Sequence, residues 1–284
     1  MREFGLSSNH LTPNISETAL LLEEVASAGF DYYEFELTNL SLIANHKWIP
    51  KRKQDFVNAV SQLPLKYALH LPLFLDLGVD SSEYHELIKS MVEFAEELKI
   101  KDFVLHPTRQ KNYSSTNTEF RRLKKLAPLF KKAGIKVHLE NLLHQQYNGM
   151  PTYNVALGDN ARTLNALNDD CYGYCFDFGH AFITTKYREE DIVEEYDKIK
   201  DIVTRIHIHD NFGKIPLEEQ RMNKHEATMM GYGDLHLPPT WGEIPFEEVK
   251  EHLKDFQNPI TIEIFKDYVH DLKDILVTTK NLFE

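Results

Sequence analysis

Two hydrophobic rhythms alternate along the chain from end to end. Short apolar runs bounded by turn residues recur at Glu3–Leu6, Tyr32–Leu37, Leu65–His70, Phe103–His106, Lys136–Glu140, Gly173–Asp177, Val203–His209 and Ile260–Ile264. Runs of this length and composition predict strands. Between them lie stretches of helical period: Ser16–Ala28, Pro50–Leu63, Ser82–Leu98, Glu119–Lys132, Asp159–Asn168, Asp191–Lys200, Phe246–Lys254 and Leu272–Leu282. Ser82–Leu98 carries the period most plainly, with Leu87, Met91, Phe94, Ala95 and Leu98 on one side. Ser16 is expected to cap the first helix and Gly29 to close it.

Eight such βα units in 284 residues predict a (β/α)8 barrel, an α/β TIM barrel filling positions 1–284 as one domain. The rival is an open doubly wound sheet. That fold advertises a Gly-rich phosphate turn after its first strand, and Ser7-Ser8-Asn9-His10-Leu11-Thr12 is not one. The one long connection, Asn211–Pro245, is too long for an ordinary loop and is expected to be functional. Composition is that of a globular protein, 42% apolar and 27% charged, and a net charge of −12 argues against general nucleic-acid binding. The first residues lack the apolar core of a secretory signal, and no apolar run reaches the roughly 18–20 residues of a membrane span. Cys171 and Cys175 are the only cysteines and suit inert buried thiols in a reducing compartment. The expectation is a cytoplasmic protein with no membrane partner.

The chemistry lies in where imidazoles and carboxylates fall. His70 and His106 end strands 3 and 4, Glu140 and Asp177 end strands 5 and 6, His207 lies in strand 7, and Glu263 ends strand 8. Carboxyl ends of barrel strands converge on one mouth, where barrel enzymes place their chemistry. His180 follows Asp177 by three positions, and Asp234-Leu235-His236 sits in the long loop. Any one of these has an ordinary structural use. Together, five histidines and four carboxylates at one mouth repel and desolvate one another unless cations are present. One ion takes only about four to six ligands. The set therefore predicts two or three metals, or one metal with the remaining groups on substrate.

This pattern resembles the xylose-isomerase-like TIM barrels, which include sugar phosphate isomerases and epimerases and the endonuclease IV enzymes that cleave DNA at abasic sites. In the isomerases and epimerases, the resemblance implies one divalent ion (Zn, Mn, Mg or Co) on Glu140, Asp177, His207 and Glu263, with His180 near the substrate. In endonuclease IV it implies three zinc ions on His70, His106, Glu140, Asp177, His180, His207, Asp234, His236 and Glu263. The loop Asp234-Leu-His-Leu-Pro-Pro followed by Trp241-Gly-Glu-Ile is similar to the isomerase-like members, whereas endonuclease IV carries a basic residue inside Asp-x-His.

The leading expectation is isomerisation or epimerisation of a sugar or sugar phosphate through an enediolate. Glu140 and Glu263 would remove and return the proton, and His180 would hold a substrate oxygen. The alternative is a zinc phosphodiesterase acting on abasic DNA, and a third reading is a non-catalytic sugar-binding protein. Three loop segments expected at the mouth, Ala44–Lys53, Pro107–Thr118 and Phe178–Arg188, together hold eight cations and no acid. They point to a small anionic substrate. Arg109 and Lys111 are the candidate contacts for its charge, and Trp48 the candidate stacking surface.

Overall fold

Eight parallel strands close on themselves in a computed structural model that describes residues 2–8, 11–109, 113–144, 146–147, 150–151, 157–215 and 222–284. Numbering the barrel strands alone, these are β1 (Phe4–Ser8), β2 (Tyr32–Glu36), β3 (Lys66–His70), β4 (Asp102–Leu105), β5 (Lys136–Glu140), β6 (Tyr172–Asp177), β7 (Val203–Ile208) and β8 (Ile260–Ile264). Each pairs with its sequence neighbours, and β1 closes the ring against β8, with Ser7 beside Glu263. The chain is thus a single-domain TIM barrel. Among the described residues, no helix is long and apolar enough to cross a membrane.

The helices are α1 (Ile15–Ala28), α2 (Pro50–Val60), α3 (Ser82–Leu98), α4 (Tyr113–Ala133), α5 (Gly158–Leu167), α6 (Phe178–Arg188), α7 (Ile192–Asp197), α8 (Lys224–Met230), α9 (Phe246–His252) and α10 (Leu272–Phe283). Several boundaries differ from the sequence expectation, each for a local reason. Asn14, not Ser16, caps α1, its side chain accepting from the Ser16 and Glu17 backbone N–H groups. Gly29 closes that helix at φ 99°, a left-handed backbone that suits glycine. Strand β1 runs on into Ser7 and Ser8, polar residues that an apolar signal passes over. Phe178–Arg188, expected as a loop, is helical because Asp177 caps it, accepting from the His180 N–H at 2.6 Å.

Strand alternation sorts the barrel into two environments. Outward residues such as Phe35, Leu69, Phe103, Val137, Phe176, Ile206 and Ile262 are buried beneath the helices and form the main core. The inward face is polar, where barrels of this kind usually stack Val, Ile and Leu. Glu34, Arg205 and Thr261 are each at most 1% exposed. Arg205 Nε lies 3.0 Å and its Nη2 2.9 Å from Glu34 Oε2, and the Tyr32 hydroxyl meets Thr261 Oγ1 at 2.9 Å. The Tyr32 ring fits only because Gly5 has no side chain, since a Cβ there would overlap it. Gly5→Ala should therefore destabilise the fold by about 1–3 kcal/mol. Urea unfolding checks this, and an unchanged midpoint would show that the ring has room to move.

Candidate metal centre

Every strand from β3 to β8 delivers a metal-capable side chain at or just past its carboxyl end, and the barrel closure brings them together. Glu140, fully buried, is the hub. Its Oε2 lies 3.1 Å from His70 Nε2 and 2.9 Å from His106 Nε2, while Oε1 lies 3.0 Å from His207 Nδ1. His207 Nδ1 is in turn 3.1 Å from Glu263 Oε2 and 4.0 Å from Asp177 Oδ2. A second focus gathers around Asp234, whose Oδ2 is 3.2 Å from His180 Nε2 and 2.9 Å from His236 Nε2. The ligand-type atoms form two groups that share Glu140, His70 with His106 and Glu140, and Glu140 with Asp177, His207 and Glu263, and a separate group of His180, His209, Asp234 and His236. All nine residues singled out in the sequence meet at one mouth.

Local structure explains how they are held. His70 Nδ1–H donates to the Leu71 carbonyl and His180 Nδ1–H to the Asn141 carbonyl, both at 2.9 Å, which leaves each Nε2 facing the carboxylates. Asn141 exchanges two 2.9 Å hydrogen bonds with the Asp177 backbone, fastening the ends of β5 and β6. The long loop is anchored by Asp210, whose buried carboxylate accepts from the backbone N–H groups of Thr240, Gly242 and Ile244. His236 sits at φ 43°, a left-handed conformation uncommon for histidine, and its ring stacks on His209 with centroids 4.1 Å apart. Gly179 gives the His209 ring its space, because a Cβ there would overlap it.

The electrostatics describe a site that needs positive charge. Burial opposes ionisation of Glu140, yet His207 and His106 outweigh it and hold the carboxyl well below the ordinary range. Asp234 is likewise desolvated and likewise held far down, by His236 and His180. Desolvation opposes charging of His70 and His236, but Glu140 and Asp234 respectively pull them up to about 9. His106 goes the other way, because its burial outweighs the pull of Glu140. Protons on imidazoles thus fill the role a cation could take. Asp177 Oδ2, Asp234 Oδ1 and both His209 ring nitrogens are buried with no hydrogen-bond partner among the described residues, so the donor set fits a metal.

Other candidates are placed differently. Cys175 adjoins Glu140 and His207, but burial pushes its thiol up to about 12, so it stays protonated. Trp48 is not at the mouth: it stacks on Phe94 at 4.9 Å and its indole N–H donates to the Ser90 carbonyl, because the strand ribbon Ile43–Ala44 and Lys47–Trp48 packs on α3. Several cations expected at the rim are also engaged elsewhere. Lys51, Arg52 and Lys53 lie on α2, paired with Asp55, with the carbonyls of Pro13, Leu40 and Ser41, and with Glu97. Arg188 pairs with Glu190. Arg109 does stand at the rim, donating to the Leu73 carbonyl at 3.0 Å, whereas Lys111 lies outside the described residues.

Sequence reasoning passed over the residues of the adjoining cavity. A space of about 150 Å³ opens beside His70, His236 and Glu263, walled by Ser7, Ser8, Glu36, Leu73 and Phe265. Glu36 ends β2 as His70 ends β3, so the positional rule that found the others would have found it. A larger cavity of about 430 Å³ between α3 and α4 holds none of the metal-capable groups above.

A closed (β/α)8 barrel with clustered imidazoles and carboxylates at its carboxyl mouth defines the class of protein. The chain belongs to the xylose isomerase-like TIM barrel family, whose pattern matches residues 22–281. It is 27% identical over 279 residues to MJ1311, an uncharacterised protein of Methanocaldococcus jannaschii, covering 92% of this chain and 83% of that one. Its fold is similar to that of a D-tagatose 3-epimerase-like protein, with a TM-score of 0.68 at 22% identity over 99% of this chain and 98% of that one. It is also similar to 3-keto-D-glucoside 4-epimerase YcjR of E. coli, with a TM-score of 0.67 at 16% identity over 99% and 100%.

The raised imidazoles make a pH prediction for metal-stripped protein. Their contribution to stability is complete below the unfolded value of about 6.5 and is lost as pH rises through about 9. The melting temperature after chelation should fall between pH 7 and pH 10, and the fall should shrink in the double variant His70→Gln, His236→Gln. An equal fall in both proteins would locate the effect elsewhere.

Proposed function

We propose that this chain is a divalent-metal-dependent isomerase or epimerase of a small sugar. The observation that carries the reading is the pairing of Glu140 and Glu263. Their carboxylates come from strands on separate parts of the ring and reach the same His207 nitrogen at 3.0 and 3.1 Å, with Glu263 forming part of the cavity wall. A divalent ion on Glu140, Asp177, His207 and Glu263 would supply Lewis-acid pull on a sugar carbonyl and its neighbouring hydroxyl. Glu263, exposed to the cavity, is placed to take the proton from the carbon that bears that hydroxyl. Glu140, deeper and shared by three histidines, would return a proton from another direction by relaying one from the neighbouring His70 imidazolium, 3.1 Å away. Ser7, Ser8 and Glu36 suit hydroxyl groups, and Leu73 and Phe265 suit the apolar face of a sugar ring.

The substrate's charge follows from the rim. Among the described residues, Arg109 borders the cavity on its Leu73 side, and Lys224 borders it over the Phe265 ring, 3.8 Å from its centre, but is paired with Asp267. A neutral polyhydroxy carbonyl compound, or one with a single anionic end directed at Arg109, fits better than a polyanion. The epimerases among the similar structures act on sugars by name, which supports the same class.

One observation favours a second reading. The groups His70–His106–Glu140 and His180–Asp234–His236 exceed what one ion requires and would hold up to three, as cleavage of an abasic-site phosphodiester by a zinc centre needs. Catalytically silent sugar binding is the third reading, and turnover separates it from the others.

The test uses purified protein reconstituted with Zn, Mn, Mg or Co and counted for metal. Under the leading reading, a panel of ketohexoses and 3-keto-glucosides in D2O gains deuterium at the epimerised carbon. Glu140→Gln and Glu263→Gln each lower that rate by about 100-fold or more. Nicking of an abasic-site oligonucleotide without deuterium exchange would replace the leading reading by the second.

A further inference from the structure

His70 and His180 are oriented by backbone carbonyls on Nδ1 and face the carboxylates with Nε2. His207 is turned the other way. Its Nδ1 faces Glu140 and Glu263, and its Nε2 points down the barrel, where Glu34 Oε1 lies 3.1 Å away. The contact is short, and neither atom has another hydrogen-bond partner among the described residues. Both residues are wholly buried.

We infer that Glu34 is the positioning residue of the centre, holding the His207 ring so that its N–H stays on Nε2 and Nδ1 is left free as a ligand. The inference rests on the metal reading above and concerns only this chain's side chains. Its logic is that of histidine ligands in general: the partner on one ring nitrogen decides which nitrogen binds. At His70 and His180 that partner is a carbonyl fixed by the chain. At His207 no carbonyl among the described residues takes the part, and a carboxylate from β2 reaches in.

A buried carboxylate can serve only while it stays ionised, and the layer beneath supplies the means. Arg205 grips the other oxygen, Oε2, at 3.0 and 2.9 Å, so Oε1 is the one left for the ring. Thr261 adds a contact to Oε2 at 3.3 Å and ties the layer to Tyr32. Arg205 itself is at β7, two residues before His207, so one strand provides both the ligand and the cation that charges its orienting partner.

The experiment labels histidine with nitrogen-15 and loads the protein with cadmium-113. In the wild type, the His207 resonance should show metal coupling at Nδ1 and a proton on Nε2. Glu34→Gln should weaken cadmium and zinc binding by about tenfold to a hundredfold in chelator competition. Tyr32→Phe disturbs the same buried layer without touching His207 and should leave affinity within about twofold. Coupling at Nε2 would overturn the inference, as would equal affinities for Glu34→Gln and Tyr32→Phe. The wild-type resonance decides the matter even where Glu34→Gln fails to fold. Wild-type protein that binds no metal would sink the metal reading itself, whereas metal binding with His207 turned the other way would sink this inference alone.

Discussion

Everything at the mouth of this barrel follows from one constraint: Glu140 is buried, ionised and shared. A carboxylate removed from water needs compensation on each oxygen, and here three imidazoles provide it at 2.9 to 3.1 Å. Those imidazoles come from β3, from just past β4 and from β7, so the hub also ties together strands that are not all neighbours in the ring. Glu263 and Asp177 then lean on the same His207 nitrogen. In the chain by itself, raised imidazoles balance the negative charge. A divalent ion would do the same with one centre and free the protons. The site is therefore a charge problem that protons solve in the chain by itself and that a metal ion would solve in their place.

That constraint reaches below the mouth. A TIM barrel normally fills its interior with branched aliphatic layers, and such a layer would leave His207 Nε2 facing hydrocarbon. Here the layer beneath is Glu34, Arg205, Tyr32 and Thr261, joined to one another by contacts of 2.9 to 3.3 Å. Breaking one member of such a buried pair is far more damaging than never having had it, by about 3–5 kcal/mol. The apolar material is instead on the outer face of the strands, where Phe35, Phe103, Phe176 and Ile206 carry the hydrophobic core. Stability and chemistry are thereby assigned to opposite sides of the same strands.

Much of this was legible in the chain because the periods of strand and helix are local properties. The strand positions of His70, Glu140, Asp177, His207 and Glu263 placed them at one mouth before any coordinates, since closure of a barrel converts sequence position into spatial convergence. What escaped had a weaker local signal. Helix α6 begins on a cap rather than on an apolar stripe, so Phe178–Arg188 read as a loop. Ser7 and Ser8 are polar residues at a strand end and carry no period of their own, whereas Glu36 ends β2 and offered the same positional signal as His70. Trp48 and the cations after it were misplaced for a different reason. Whether a loop side chain turns toward the mouth or packs on α3 depends on tertiary contacts, which residue order does not encode.

The placement of those cations is what weighs most on substrate. A polyanion such as a DNA strand is gathered by a continuous run of free lysines and arginines. Lys51 and Lys53 are bound to acids, and Arg52 is held by three carbonyls across the gap between α2 and the loop before α1. Freeing Arg52 or Lys53 for a ligand means breaking contacts that tie α2 to its neighbours, whereas Lys51 pairs only within its own helix. The cavity wall meanwhile offers two serines and two glutamates, Glu36 and Glu263. Such a wall accepts hydroxyl hydrogens and repels phosphate oxygens unless metal lies between. The extra ligand groups argue for more than one ion, and the rim argues for a small, hydroxyl-rich substrate. The two are compatible, because added ions can neutralise acceptor-rich walls and so prepare them for a neutral sugar as readily as for a phosphoester.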